Sequence, residues 1–526
     1  MTCCSESLDG RAIAPMAKYK PYDYTQSTLI PVNLEEQLIP GTLEFAIHHL
    51  IESRMDTSVF DDRYKNDEAG RWAYDPKVLL KVVLFGYSRG LMSSRDLERA
   101  CGENVTFMAL ACGQRPDHST IAAFVSSMKE EILPLYRDIL LVCEEEGLLG
   151  GTFFALDGCK LSSNASKEWS GKVGDLERKK EKLEGKIRRL MEEQREADKG
   201  EDDEGRGDGG SGISRREEKI EKLRKQADRI ERFLQANGPK IGRQGREIKS
   251  NITDNESATM VTSRGIIQGY NGQALVDSKR QVIVYGEAFG DSQDHHHVAP
   301  MIDGAKENMV EVGYDEGCFE GKILTADSLY HSSSNLKKCD EEKLDAYIPD
   351  KDFRKRDPNL RIKTPVSPGR RKRFALKDFV QDQARDEYRC PGGKILKRHV
   401  KNRRSDGIIY RGYRAEENVC PGCPLKGRCL IQGNENRRYL SVPIAGTAEN
   451  LTKPMIEKID SEQGRRIYNR RIGIVEPVFA NLRAQKGMNR FTLRGKIKVN
   501  IQWLLYCMVH NIEKIANYGA QYCRAT

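Results

Sequence analysis

The hydrophobic pattern changes period at Gly150–Gly151, and that change limits what the chain can fold into. Upstream, residues 41–145 carry apolar side chains at three- and four-residue spacing, as in "TLEFAIHHLIES", "PKVLLKVVLFGYSRG" and "SSRDLERACGEN". That spacing predicts helices, the third capped by Ser93 or Ser94. "DHSTIAAFVSSMKEEILPLYRDILLVCEEEG" predicts one or two more. Downstream, "GTFFALDGCKL" is short, apolar and β-prone, and reads as a buried strand carrying Asp157. After residue 260 the strands "GIIQGYNGQALVD" and "QVIVYGEAFG" follow, then a helix over "HHHVAPMIDGAKENMVEVG". "GKILTADSLY" is a further buried strand ending at Asp327, "SSNLKKCDEEKL" a capped helix and "DAYIPD" a short strand. Strands alternating with helices predict an α/β sheet.

Two segments interrupt that sheet. In 173–249, Leu176, Leu183, Ile187 and Leu190 keep heptad positions, as do Ile220, Leu223, Ala227, Ile230 and Leu234. The linker "KGEDDEGRGDGGSG" lies between them, and the pattern predicts an antiparallel coiled-coil hairpin or a solvated helical pair that only spaces its neighbours. Residues 351–455 hold Pro, Gly, four cysteines and alternating aromatic and basic residues, with no long helix. Helix returns at 460–516. The expected domains are a lead-in over 1–40, helices over 41–145, a sheet-bearing core from 150–172, 250–350 and 456–516, and the two insertions.

Charge narrows the partner. The chain carries a net +9. Residues 351–414 hold 21 Lys/Arg and 7 Asp/Glu, and 461–500 hold 10 and 2. Basic charge gathered in two places suggests a polyanion, most plausibly nucleic acid, against the bland alternative of a solvated surface. The start "MTCCSESLDGRAIAP" has no charged segment followed by an apolar core, and the runs "VLLKVVLFGY" and "IQWLLYCMVHNI" are too short for a bilayer. A cytoplasmic protein without a membrane partner is expected. Its fourteen cysteines then read as reduced thiols or metal ligands.

Three acids stand out. Asp157 and Asp327 follow short apolar strands, and Glu476 lies within the basic helical stretch "YNRRIGIVEPVFANLR". A buried carboxylate needs a partner, since desolvation costs it several kcal/mol. Each acid alone reads most simply as a salt-bridged or turn carboxylate. The set can converge on divalent cations, because hard oxygen ligands suit Mg²⁺.

"LDG" at 156–158, "TADSLY" at 325–330 and "YNRRIGIVEPVFANLR" at 468–483 resemble the three signature blocks of the bacterial insertion-sequence DDE transposases. The resemblance extends over "NITDNESATMVTSRGIIQGYNGQALVD", the helical region 41–130 and the cysteine segment, so it covers most of the chain from about 40 to 516. Tyr468, Arg471, Glu476 and Arg483 align with the family's Tyr/Arg/Glu/Arg-or-Lys signature. Four residues separate Arg471 from Glu476 where three are usual, so Arg470 is a substitute for Arg471, and Leu329 stands where Gly is common.

The resemblance implies an RNase H-like mixed sheet flanked by helices, with a DNA-binding N-terminal helical domain. It implies Mg²⁺ or Mn²⁺ held by Asp157, Asp327 and Glu476, and double-stranded DNA as partner, both terminal inverted repeats and target. Tyr468, Arg470, Arg471, Arg483 and Lys486 would meet DNA phosphate, and a homodimer in the synaptic complex and a nucleoid-associated location would follow. A nuclease of the same fold without strand transfer, a catalytically inactive DNA-binding derivative and a coiled-coil scaffold binding RNA or acidic proteins are the alternatives. The apolar residues Ile472, Ile474, Val475, Val478, Phe479 and Leu482 would seat the Glu476 helix on the sheet.

Cys390, Cys420, Cys423 and Cys429 form C-x29-C-x2-C-x5-C, with His399 a substitute ligand. With one close CxxC pair, the spacing fits structural zinc, an iron–sulfur cluster or no metal. Cys159 reads as packing. "DHHH" at 294–297 reads as a helix start capped by Asp294.

Overall fold

The computed structural model describes residues 32–63, 72–201, 210–242, 245–357, 374–405, 408–430, 436–444 and 451–522. Most of the expected lead-in and the centre of the charged linker, 202–209, lie outside the described residues.

The N-terminal helices are α1 (Leu43–Ser53), α2 (Pro76–Ser88), α3 (Ser94–Glu103), α4 (Val105–Leu110), α5 (His118–Ser127) and α6 (Ile132–Glu145). Their starts follow from side-chain caps. Thr42, Asp75, Asn104 and Asp117 each accept a bond from a backbone N–H in the first turn, and Pro76 adds its fixed φ at the start of α2. Ser93 occupies the cap position of α3 but makes no side-chain cap bond. Between the N-terminal helices and the end of the chain, α7 (Val173–Glu201) and α8 (Gly210–Ala236) run antiparallel, with Lys180 3.0 Å from Glu231. Leu176, Leu183, Ala227 and Ile230 bury between them, on the predicted heptad positions.

The central sheet contains β1 (Phe153–Ser162), β2 (Ala258–Thr262), β3 (Gly265–Asp277), β4 (Ile283–Phe289), β5 (Ile323–Ala326) and β6 (Asp345–Tyr347). Its order is β2–β3–β1–β5–β6, with β4 also pairing with β3. β3 is antiparallel to β1, β2 and β4, whereas β1, β5 and β6 are parallel. Helices α9 (Val298–Glu311) and α10 (Ser333–Glu341) follow β4 and β5. This mixed α/β arrangement agrees with the RNase H-like expectation.

The described residues between 374 and 444 form a second, antiparallel sheet that the sequence reading did not anticipate. Its strands β7 (Val380–Asp382), β8 (Glu387–Arg389), β9 (Ile395–Ser405), β10 (Ile408–Ala415) and β11 (Tyr439–Pro443) pair in chain order. Phe379, Tyr388, Leu396, Tyr413 and Leu440 form its own small core.

The chain closes with α11 (Thr452–Asp460), α12 (Glu462–Ala480) and α13 (Lys496–Tyr518). One hydrophobic core runs from Ala46 to Tyr522, so the N-terminal helices and the sheet share it. α13 joins them, because it is apolar around most of its circumference. Its Tyr506 stacks on Tyr87 at 4.7 Å, and Trp503 lies over β3 and β4. Gly272 and Gly286 make room for that indole, since a Cβ on either would come 3.0 Å from it.

Candidate active site

Asp157, on β1, and Asp327, just past the end of β5, stand side by side. The parallel β1–β5 ladder ends with Leu156 opposite Ala326, so Asp157 follows on β1 and Asp327 follows just past the end of β5. Asp157 Oδ1 accepts from the Gly158 N–H at 2.8 Å, and its Oδ2 accepts from Arg471 Nη1 at 2.6 Å. Asp327 caps the 3₁₀ turn Ser328–Tyr330 and accepts from the Leu329 N–H at 2.7 Å. Leu329 does not adopt positive φ, so leucine fits this turn where the related signature often has glycine.

Burial pushes both carboxyls above the ordinary aspartate range. The Leu329 N–H and Arg471 partly oppose this for Asp327, while the charge of Asp157 adds to it. For Asp157 the Arg471 guanidinium works against burial, whereas the charge of Asp294 adds to the upward push. Two like charges held this close are the arrangement a divalent cation relieves, and carboxylate oxygens are the donors Mg²⁺ prefers.

Helix α12 supplies the positive side. Ser461 caps it through the Gly464 N–H. Gly464 is needed because a Cβ there would come 2.0 Å from the Lys458 carbonyl. Ile474, Val475, Val478 and Leu482 are buried and seat the helix, but Ile472 is exposed, which corrects its expected place in that seam. Pro477 lies inside the helix and lacks an N–H, so the Gly473 carbonyl, four residues earlier, accepts from Gln281 Nε2 instead. A π-helical turn, Asn481–Gln485, follows directly.

Tyr468 and Arg471 lie one turn apart on α12. The Tyr468 ring meets Phe353 edge-on, and the Arg471 guanidinium carbon is 5.7 Å from the Tyr468 ring centre. Burial opposes the charge of Arg471, but Asp157, Tyr468 and Asp327 together raise its pKa. Burial also raises the Tyr468 phenol. Arg470 is exposed and lies over the Phe153 ring at 4.5 Å. Arg483 is exposed within the π turn and close enough to favour the Cys159 thiolate, although burial keeps that buried thiol high.

Glu476 is exposed on α12, with no hydrogen bond or ion pair among the described residues. Arg471 to Glu476 is five residues, or about 140° around the helix, so the two point in different directions. Lys486 departs from its expected place on a DNA-facing surface. It is fully buried, with Nζ 2.5 Å from Glu513 and bonded to Asn481 at 2.7 Å. The chain turns inward after the π turn, and that ammonium serves the interior.

Asp294 is a residue the sequence reading misplaced. It begins a 3₁₀ turn, and α9 has no side-chain cap. Its carboxylate is buried instead, accepting from Asn271 Nδ2 at 2.6 Å and Gln273 Nε2 at 2.9 Å. The available signal was two polar residues alternating within an otherwise apolar strand, which require buried partners.

In the second sheet, Cys390, Cys420, Cys423 and Cys429 line one cavity of about 20 Å³. The Lys394 N–H donates to Cys390 Sγ at 3.3 Å. His399 is exposed and does not line it. Among the described residues no group of three or more His, Cys, Asp or Glu is arranged to hold a metal ion, at this cavity or elsewhere. Several basic side chains of this sheet are locally neutralised, Lys397 by Glu416, Arg398 by Asp386 and Arg437 by Glu417. No helix among the described residues is long and apolar enough to cross a membrane.

Comparison with known proteins adds two matches. Residues 389–516 match the family described as a transposase DDE domain, a stretch that contains Tyr468, Arg471, Glu476 and the four cysteines but neither Asp157 nor Asp327. Residues 32–127 match a transposase domain, DUF772, over α1 to α5. No curated protein matches the chain. The two matched stretches, one at the N-terminal helices and one reaching through α13, make this chain similar to the insertion-sequence DDE transposases in both regions.

Proposed function

We propose that this protein is a transposase that binds the terminal inverted repeats of its element as double-stranded DNA, cleaves the ends and joins the freed 3′-hydroxyls to target DNA. The observation that carries this reading is the Asp157–Asp327 pair beside Arg471 and Tyr468. Asp157 and Asp327 would hold Mg²⁺ or Mn²⁺ there, and the chemistry such an ion would supply is activation of a water and stabilisation of the leaving oxygen in phosphodiester displacement. Mg²⁺ takes one or two carboxylates together with waters and phosphate, so two aspartates suffice to begin the site, and Glu476 would have to turn toward them to serve as the third, since no three such groups stand together among the described residues.

The chain's own residues do the rest. Asp157 and Asp327 offer fixed oxygens, each oriented by a backbone N–H. Arg471, already held by Asp157, orients a phosphate through its planar donors, with Tyr468 beside it. Arg470 and Arg483 are exposed and meet the DNA backbone, as phosphate contacts position a duplex without reading its sequence. A homodimer brings two ends together, and the protein acts on the nucleoid in the cytoplasm.

The test is a strand-transfer assay with full-length protein, Mg²⁺ and pre-cleaved ends from the DNA flanking its coding region. Joined products are expected. End cleavage without joining would favour the nuclease reading, and binding without either would favour an inactive derivative.

Structural zinc is the second reading: four thiols line one cavity, and binding would need them to draw together from the arrangement described above. Metal analysis of protein purified under reducing conditions is expected to give zinc that Cys420→Ser or Cys423→Ser removes. Metal-free protein would leave the cysteines as packing residues.

A further inference from the structure

Behind the two aspartates runs a chain of buried hydrogen bonds. Asp294 Oδ1 accepts from both Asn271 Nδ2 and Gln273 Nε2. Gln273 Oε1 in turn accepts from the Tyr330 hydroxyl. All four residues are buried. Asp327 and the residue after Asp157 both adjoin this chain. Tyr330 closes the turn that Asp327 caps, its N–H bonding the Asp327 carbonyl at 3.2 Å. Gly158, next to Asp157, pairs with Gln273 across β1 and β3. A Cβ at Gly158 would lie 2.0 Å from Gln273 Nε2 and 3.0 Å from Asn271 Oδ1. Glycine follows Asp157 because the two amides fill that space.

We propose that Asp294 is a positioning residue for Asp157 and Asp327, acting through Asn271, Gln273 and Tyr330; this rests on the reading of the two aspartates as the cleavage site. An amide can turn over and exchange its oxygen and nitrogen, so each of these two needs an acceptor oxygen beside it to hold its nitrogen in place. By accepting from both amides, Asp294 fixes each with its nitrogen inward. That leaves Gln273 Oε1 as the acceptor Tyr330 needs. Without Asp294, Gln273 is free to rotate, Tyr330 loses its partner, and the turn carrying Asp327 loses a tether. Misplacement of a reacting group by about 1 Å costs on the order of a hundredfold in rate.

The experiment uses full-length protein, Mg²⁺ and linear DNA carrying the element's ends. Asp294→Ala is expected to lower kcat for end cleavage about ten- to a hundredfold with KM for DNA nearly unchanged. Asp294→Asn is expected to stay within about threefold, because its Oδ1 still accepts from both amides. Tyr330→Phe keeps the ring and is expected to lower kcat as well, which covers the case where Asp294→Ala fails to fold. Hydrogen exchange at the Gly158 and Leu329 amides gives a readout independent of cleavage, faster in Asp294→Ala and unchanged in Asp294→Asn. Asn as damaging as Ala in protein of equal melting temperature would overturn the proposal, since charge would then be what matters. Wild-type kcat and exchange in both Asp294→Ala and Tyr330→Phe would also overturn it. The expected exchange pattern in a wild-type protein that never cleaves would instead overturn the cleavage reading.

Discussion

Arg471 donates to Asp157 at 2.6 Å and so ties together two segments 314 residues apart in the chain. The pair is mostly shielded, with the arginine side chain 12% and the aspartate 22% exposed. Removing one partner leaves the other poorly solvated. Arg471→Ala is therefore expected to destabilise the metal-free protein by about 1.5–3 kcal/mol, measured by denaturant unfolding in chelator. Arg471→Lys should recover only part of this, because lysine lacks the planar fork.

Asp327→Asn is expected to act in the opposite direction on stability. The asparagine oxygen still accepts from the Leu329 N–H, while the repulsion from Asp157 disappears. In chelator at neutral pH the variant should melt higher than wild type. Adding Mg²⁺ should stabilise wild type and leave the variant nearly unmoved, because a ligand stabilises only the state that binds it. Thermal melts with and without Mg²⁺ check both parts.

Arg356 bridges Asp350 and Asp460, with 2.5 Å and 2.6 Å contacts, and so anchors the chain just before α12. The Arg356 guanidinium beside Asp350 holds that carboxyl below its ordinary value of 3.8. A depressed carboxyl contributes stability above its unfolded value and loses it as pH falls through the folded one. Arg356→Ala should therefore cost about 1 kcal/mol at pH 7, given solvent screening. The gap from wild type should narrow below about pH 4, which unfolding at stepped pH would show.

Much of the central sheet was legible in the sequence because its strands are apolar, short and bounded by turns. β3 matches its predicted stretch residue for residue, and β5 stops one residue before Asp327. The second sheet was not legible, because its two long strands are rich in basic residues and its core is only a few side chains. Lys486 looked like one more cation of a basic run, and only the return of α13 with Glu513 reveals its buried partner. Asp294 looked like a helix cap because its true partners, Asn271 and Gln273, lie more than twenty residues upstream. Long-range pairing of polar groups leaves little trace in local spacing, whereas burial of apolar strands leaves a clear one.

Cleavage of the element's ends in Mg²⁺ by wild type, Asp157→Asn, Asp327→Asn and Glu476→Gln, each verified as folded by its melt, tests the shared-cation site most directly. Wild type is expected to cut, and each variant to fall to the level seen in chelator. Full activity in either aspartate variant would contradict the site, and full activity in Glu476→Gln would remove that exposed glutamate from it.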